Sequence, residues 1–299
     1  MYNVEVLMST YNGAKYIKQQ IESILKQEGC KVTLVARDDE STDNTREILK
    51  KYSKDGQLTW YEGENLKPAR SFFDLLVKSE DADFYAFADQ DDYWMTDKLE
   101  SACRKIGFTN KPTLYFSQTQ LANEHLSKIK TPCIHPLLTQ GESLIYAFAS
   151  GCTMVFNKAL KDLLISHIPQ TMPMLHDFWA YISAQAIGAK IIFDKESHIL
   201  YRQHRNNTVG LGESAVKEWK QRIKRVFILH EHERSNNARI LLETLYEEMT
   251  PDSLKRTKLF IDAKTSFLKR MRLLFDDSYK CGNLKNWILF KIAILCNTY

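Results

Sequence analysis

The densest cluster of chemically capable side chains is Asp89-Gln90-Asp91-Asp92, three carboxylates in four residues directly after the apolar run Phe84–Ala88. Carboxylates this close repel one another unless a cation offsets their charge. Hard divalent ions such as Mg²⁺ and Mn²⁺ favour such oxygens and share them with substrate phosphates. The competing reading is a solvated acidic turn that caps the next helix, with Thr96 and Asp97 as further cap candidates. An EF-hand is excluded, because its loop glycine and distal glutamate are missing. Asp38-Asp39 closes a second apolar run in the same way, with Ser41 or Thr42 opening the next helix and Asp43 favourable in its first turn. Ser9-Thr10-Tyr11-Asn12-Gly13 offers hydroxyls, an aromatic face and a turn, a set suited to a base and ribose and equally to an ordinary turn. Arg70 follows Pro68 at a helix start, where guanidinium and backbone N–H groups would meet phosphate; a surface arginine is the plainer alternative.

These clusters must be positioned by the elements before them. Val4–Met8, Val32–Ala36, Leu58–Tyr61 and Phe84–Ala88 read as strands. Between them lie helical patterns: Ile17, Ile21, Ile24 and Leu25; Ile48, Leu49 and Tyr52; and Ala69–Lys78 with Phe72, Phe73 and Leu76 inward. Strands alternating with helices predict an α/β fold with a mainly parallel central sheet covered on both faces. Ligands of such sheets bind beyond the carboxyl ends of the strands, where the polar clusters at 9–13, 38–43 and 89–92 all fall. They therefore mark one cleft. After about residue 111 the pattern loosens: Thr113–Ser117, Cys152–Asn157, Ile191–Phe193 and Ile199–Tyr201 read as strands, and Asp177–Ile187 as a helix ended by Gly188.

Composition narrows the function classes. The chain has 299 residues, 44% apolar and 26% charged, which suits a soluble globular protein of one large or two modest domains. Six cysteines are scattered without a C-x-x-C pair, so free thiols in a reducing compartment are expected. The formal charge of +4 is unevenly spread: residues 1–210 carry 24 basic and 26 acidic side chains, residues 211–299 carry 17 and 11. A basic excess confined to one end argues against a nucleic-acid binder. No signal peptide is expected at Met1, and no apolar run reaches the roughly 18 residues that span a bilayer. Neither a P-loop nor a G-x-S-x-G is present. Gly210-Leu211-Gly212-Glu213-Ser214-Ala215 matches a dinucleotide-binding pattern, but no apolar strand precedes it, so a lid-like loop is expected there.

Met8 to Gly13, Arg37 to Asp43, Asp89 to Asp92, His176-Asp177-Phe178-Trp179 and Tyr201-Arg202-Gln203-His204, in this order and spacing, resemble family 2 glycosyltransferases of the GT-A fold. The likeness extends to about residue 210 and is closest to the bacterial rhamnosyltransferase branch. It implies a GT-A catalytic domain over 1–210, with a nucleotide-sugar half (1–110) and an acceptor half (111–210), followed by a basic helical region over 211–299. It implies that Thr10 and Tyr11 line the nucleotide pocket, that Asp39 accepts a hydrogen bond from the pyrimidine, and that Arg70 approaches the pyrophosphate. Asp89 and Asp91 match the ends of the family's D-x-D, with Asp91 as the direct Mg²⁺ or Mn²⁺ ligand, and His204 matches a histidine that reaches back to metal or diphosphate. Asp177 stands at the acceptor-side base; the usual acidic pair is here His176-Asp177, which makes His176 the rival base. The implied activity is inverting, metal-dependent transfer of a sugar, foremost L-rhamnose from dTDP-rhamnose, to a lipid-linked or growing bacterial polysaccharide precursor. A UDP-hexose donor is the alternative, and a non-catalytic sugar-nucleotide or glycan-binding module is the rival class. Such an enzyme would work in the cytoplasm at the inner face of the membrane.

The last fifty residues carry their own signal. Pro251 opens a helix after Thr250, and Phe260, Ala263, Phe267, Met271 and Leu274 then share one face among basic residues. Trp287–Leu295 is nearly apolar apart from Lys291. This stretch is expected to cap the catalytic domain, to bind an anionic membrane surface through 251–299, or to form a homodimer.

Overall fold

The computed structural model describes residues 1–171, 175–204 and 233–299; the loop expected at 210–215 lies outside the described residues. The chain begins as strand-helix alternation: β1 (Tyr2–Thr10), α1 (Ile17–Leu25), β2 (Cys30–Asp39), α2 (Thr45–Lys54), β3 (Thr59–Gly63), α3 (Lys67–Val77) and β4 (Phe84–Ala88). The short β5 (Tyr93–Trp94), α4 (Lys98–Ile106) and the long β6 (Thr113–Ala122) follow. Next come α5 (Gln140–Ser143), β7 (Val155–Asn157), α6 (Lys158–Ser166), α7 (His176–Ala186) and β8 (Lys190–Arg202). The C-terminal region holds α8 (Glu233–Leu245), α9 (Pro251–Asp262), α10 (Phe267–Phe275) and α11 (Leu284–Leu295).

The strands form one mixed sheet in the order β3-β2-β1-β4-β7-β6-β8-β5. The first four pair in parallel, as the alternation predicts, whereas β7 runs antiparallel to both β4 and β6 and β5 antiparallel to β8. The sheet is thus parallel in its first half and mixed in its second. Central strands buried on both faces need apolar side chains on both. On β1 and β4, Val4, Val6, Met8, Phe84, Ala86 and Ala88 enter one core, while Leu7, Tyr85 and Phe87 enter the other. The second core continues through Trp179 and Tyr181 on α7 into Leu241, Phe260 and Phe290 of the C-terminal helices. Residues before and after 210 therefore share one core, and the change of sequence character there does not mark separate packing.

Several expected elements are corrected. The strand expected from Cys152 starts at Val155, because Gly151–Thr153 closes into a 3-10 turn with the Thr153 hydroxyl donating to the Ser150 carbonyl (2.8 Å). The helix after Asp39 starts at Thr45, not at Ser41 or Thr42, and Ser41 instead accepts from the Asn12 N–H (2.9 Å). Asp97 precedes α4 but makes no cap, its carboxylate meeting His198 Nδ1 (3.0 Å). The two short strands expected over 191–201 are one, β8, which carries buried Asp194 and His198 through the sheet. The continuous helical face expected from Phe260 to Leu274 breaks at Ala263, and Ser266 caps a new helix. Among the described residues, no helix is long and apolar enough to cross a membrane, and all six cysteines are free.

Candidate active site

β1 and β4 are neighbours at the point where strand order reverses, and the segments leaving them form one wall of a cleft of about 650 Å³. Ser9 and Tyr11 come from the end of β1, and Asp89, Gln90 and Asp91 from the turn after β4. Gln90 clamps the two ends together: its Oε1 accepts from the Tyr11 N–H and its Nε2 donates to the Tyr11 carbonyl, both at 2.9 Å.

The acidic turn is held from behind by buried Arg202. Its backbone N–H donates to Asp92 Oδ1 (3.1 Å), its Nε to the Asp91 carbonyl (2.7 Å) and its Nη2 to Gln19 Oε1 (2.7 Å). The same guanidinium lies over the Tyr16 ring at 4.6 Å. Two residues on, His204 stacks on Tyr16 (4.8 Å between centroids) and places Nε2 2.8 Å from Asp91 Oδ2. Asp92 faces inward, fully buried, beside Cys152 and Lys98, while Asp89 and Asp91 face the cleft. Burial raises the Asp89 carboxyl above its ordinary range, and the charges of Asp91 and Asp177 push it further. Asp92 is raised by burial and then by Asp91 and Asp89. Burial in turn lowers the Lys98 ammonium to about 7, with its Nζ 3.5 Å from the centre of the Trp94 ring.

The donor set suits a divalent cation. Asp89 accepts no hydrogen bond from a described residue, and among the described residues no lysine or arginine faces the cleft beside it. Asp89, Asp92 and Cys152 also bring ligand atoms within 4.8 Å of one another, but a thiolate is the wrong donor for Mg²⁺ or Mn²⁺. The oxygens of Asp89 and Asp91, with His204 beside them, fit those ions better.

Across the cleft, α7 presents Asp177 in its first turn. Its Oδ2 accepts from the Gly151 N–H (2.9 Å) and its Oδ1 from its neighbour Phe178 N–H (2.7 Å), which fixes the orientation of the carboxylate. Its neighbour His176 is placed differently. The imidazole is buried, stacked on Phe72 at 3.7 Å and edge-on to Phe87 at 4.8 Å, and among the described residues neither ring nitrogen has a hydrogen-bond partner. Burial lowers its pKa to about 4. Gly151 makes this approach possible, since a β-carbon there would sit 2.6 Å from His176 Nε2. The imidazole thus packs as an aromatic plate behind the carboxylate.

The sequence profile of glycosyl transferase family 2 matches residues 5–164. The chain belongs to glycosyl transferase family 2. Among curated relatives of this family 2 transferase, the dTDP-rhamnosyl transferase RfbG of Shigella flexneri is 29% identical over 229 residues, covering 72% of this chain and 77% of that protein. The UDP-Glc:alpha-D-GlcNAc-diphosphoundecaprenol beta-1,3-glucosyltransferase WfgD of Escherichia coli is 27% identical over 185 residues, covering 61% and 69%. Among solved structures, S. aureus TarS 1-349 in complex with UDP-GlcNAc aligns with a TM-score of 0.56 at 17% identity, covering 98% of this chain and 90% of that one. The mannosyltransferase PcManGT of Pyrobaculum calidifontis, in complex with GDP-Man and Mn²⁺, aligns at 0.53 and 17% identity, covering 98% and 85%. The fold is GT-A.

Of the residues singled out in the sequence, the cleft gathers Tyr11, Asp89, Asp91, Asp177 and the rival base His176, with His204 bonded to Asp91. Thr10 and Asp39 do not line it. Thr10 is buried and donates to the Arg37 carbonyl (3.1 Å), and Asp39 is buried against the Arg37 guanidinium with Ser71 donating to its Oδ1 (2.9 Å). Arg70 is exposed on α3 and is not part of the lining, to which that helix contributes Pro68 and Phe72. The remaining walls were not anticipated. They come from the strap at 131–135, from Tyr146 and Phe148, and from Gly282, Asn283 and Lys285 at the start of α11. Buried Glu142 ties these walls together: its Oε2 accepts from the Leu137 and Leu138 N–H groups (2.7 and 3.0 Å) and its Oε1 from the Gly282 N–H (2.7 Å). Thr139-x-x-Glu142 has capping-box spacing, and the Thr139 hydroxyl does accept from the Glu142 N–H (3.2 Å), but that pattern does not foretell a carboxylate that joins the 137–138 backbone to Gly282.

Proposed function

We propose that this transferase is inverting and metal-dependent, and that it moves L-rhamnose from dTDP-rhamnose to a saccharide precursor of the bacterial cell surface. The observation that carries the chemistry is the placement of Asp177 and the acidic turn on different elements facing one cleft. Inverting displacement needs a base on one side of the anomeric carbon and charge neutralisation on the other. Asp177, oriented by its two backbone donors, takes the proton of the acceptor hydroxyl. A divalent ion held by Asp89 and Asp91, with His204 beside them, supplies neutralisation for the leaving diphosphate. Arg70 swings onto that diphosphate once the donor is seated. Tyr11 and Ser9 meet the nucleotide, while Thr10 and Asp39 act from behind by fixing the ends of β1 and β2.

The choice of donor rests on the 229-residue likeness to the Shigella dTDP-rhamnosyl transferase. The likeness to the E. coli glucosyltransferase supports a UDP-hexose as the second reading. A panel of dTDP-rhamnose, UDP-glucose, UDP-galactose and UDP-GlcNAc, assayed for Mn²⁺-dependent binding and hydrolysis, decides between them. Preference for a UDP-sugar overturns the rhamnosyl assignment, and binding of none overturns the transferase reading of this site. The protein works from the cytoplasm against the inner membrane. Exposed Phe267, Leu268 and Phe275 stand with Lys269 and Arg272 on one short helix, apolar and basic together as an anionic lipid surface requires.

A further inference from the structure

The carboxylates of the acidic turn repel one another, and the fold places a buried cation behind them. Arg202 is 2% exposed. An apolar side chain would fill that space without the cost of desolvating a guanidinium, so packing alone does not call for a charge there. The grip is on the main chain of the turn. Nε bonds the Asp91 carbonyl (2.7 Å), which leaves the Asp91 carboxylate facing the cleft with its Oδ2 at His204. The other arms of the fork reach different elements, Nη1 the Glu124 carbonyl just past β6 (2.5 Å) and Nη2 the Gln19 side chain on α1 (2.7 Å). A lysine has one nitrogen and cannot span three such acceptors. Tyr16 carries the arrangement on to His204, since guanidinium and imidazole both pack on its ring, at 4.6 and 4.8 Å. The chain leaving the turn is tied to the same strand, with Tyr93 and Trp94 of β5 paired to Leu200 and Ile199 of β8.

Resting on the metal-dependent reading above, we propose that Arg202 is a positioning residue for the cation site: from the buried side it offsets the repulsion within the acidic turn, and through Tyr16 it sets the spacing of Asp91 and His204 before a cation arrives. A charge behind the turn lowers the cost of bringing the carboxylates together while leaving their cleft-facing oxygens to the ion. Affinity for Mn²⁺ therefore depends on a residue that lies behind the ligands. Groups that orient ligands in this way typically carry about 10–100-fold in metal affinity.

Mn²⁺ itself is the probe, titrated into the full chain alone, with UDP and with dTDP, and counted by the paramagnetic resonance of the free ion. Arg202→Lys should weaken Mn²⁺ by about 10–100-fold in the condition that binds it best. Gln19→Ala, which removes one arm of the fork at an exposed position, should weaken it severalfold. Tyr115→Phe, which strips a buried hydroxyl from Asp194 outside the cleft lining, is the control for general loosening and should keep native affinity. Native affinity in both Arg202→Lys and Gln19→Ala overturns the proposal. A loss of the same size in Tyr115→Phe also overturns it, because loosening of the fold would then account for the effect. If Arg202→Lys shows no thermal transition, Gln19→Ala decides. Absence of Mn²⁺ binding by the native chain in all three conditions removes the cation site and the metal-dependent reading together. Native binding that ignores Arg202 and Gln19 removes the positioning role alone.

Discussion

At the scale of single residues, the structure divides the His176-Asp177 pair into unlike roles. Asp177 faces the cleft with its carboxylate oriented by two N–H groups, while His176 is an aromatic plate between Phe72 and Phe87. General-base catalysis contributes about 10²–10⁴-fold, so Asp177→Asn should lower transfer by that order while leaving the nucleotide-sugar Kd within about twofold. His176→Phe, which preserves the stacking, should keep transfer within an order of magnitude. Steady-state rates and calorimetric donor binding for both variants check this, and the reverse pattern would hand the base role to His176. Asp91→Ala should abolish the Mn²⁺-dependent part of donor binding, read as the difference between titrations with Mn²⁺ and with a chelator. Equal affinity in the two titrations of native protein would remove the metal from the site.

At the scale of elements, the cleft depends on segments distant in sequence being fastened together. Glu142 fastens the 137–138 backbone to Gly282 through three N–H groups, and burial raises its carboxyl above the ordinary value despite them. Glu142→Ala would leave those donors buried and unpaired, an expected loss of about 2–4 kcal/mol in urea unfolding. Gly282→Ala should also destabilise, because its β-carbon would clash with the His135 carbonyl oxygen, a backbone atom that cannot rotate aside. This clasp explains what was legible in the sequence and what was not. The β1–β4 half could be read because apolar runs and strand-end polar clusters are local signals, and Asp89 and Asp91 came with them, whereas Asp177 and His204 were marked only by the family resemblance. β8 was split in two because Asp194 and His198 interrupt its apolar pattern. They are buried because each is bonded: they meet each other (3.2 Å), the Tyr115 hydroxyl donates to Asp194 (2.8 Å), Lys105 pairs with Asp194 and Asp97 meets His198 (3.0 Å), and the Tyr115, Lys105 and Asp97 partners lie outside any local window. For Thr10 and Asp39, residue type shows that they can hydrogen-bond, while Arg37 and Ser71 decide with what, and that pairing is not legible in the sequence.

At the scale of the whole molecule, one buried carboxylate ties stability to pH. Glu5 on β1 is almost fully buried, with Oε2 lacking a hydrogen-bond partner, and burial raises its pKa to about 7. The native state therefore holds this proton more tightly than the unfolded chain. The contribution to stability is complete below the unfolded pKa of about 4.3 and is lost as pH rises through about 7, by roughly 2–3 kcal/mol. Glu5→Gln should remove that loss, so the change in urea midpoint between pH 5 and pH 8 should shift by that amount relative to the native protein, the other buried titrating groups being common to both; an unchanged pH slope would show that Glu5 is already charged in the fold. The exposed apolar and basic surface of α10 gives a second molecular-scale expectation. Phe267→Ser with Leu268→Ser should reduce sedimentation with phosphatidylglycerol vesicles severalfold and leave thermal stability intact, since both side chains are exposed. Unchanged sedimentation would remove α10 from the membrane contact. The shared core also has a consequence in time. The apolar face of α7, with Trp179 and Tyr181, is completed by Leu241, Phe260 and Phe290, which are synthesised later. At about 5–20 residues per second, the nascent chain displays that face for roughly 5–20 s before its cover emerges. The ribosome-bound chain therefore passes through an uncovered intermediate whose cleft still lacks a wall, and chaperone demand during synthesis should be highest in that interval.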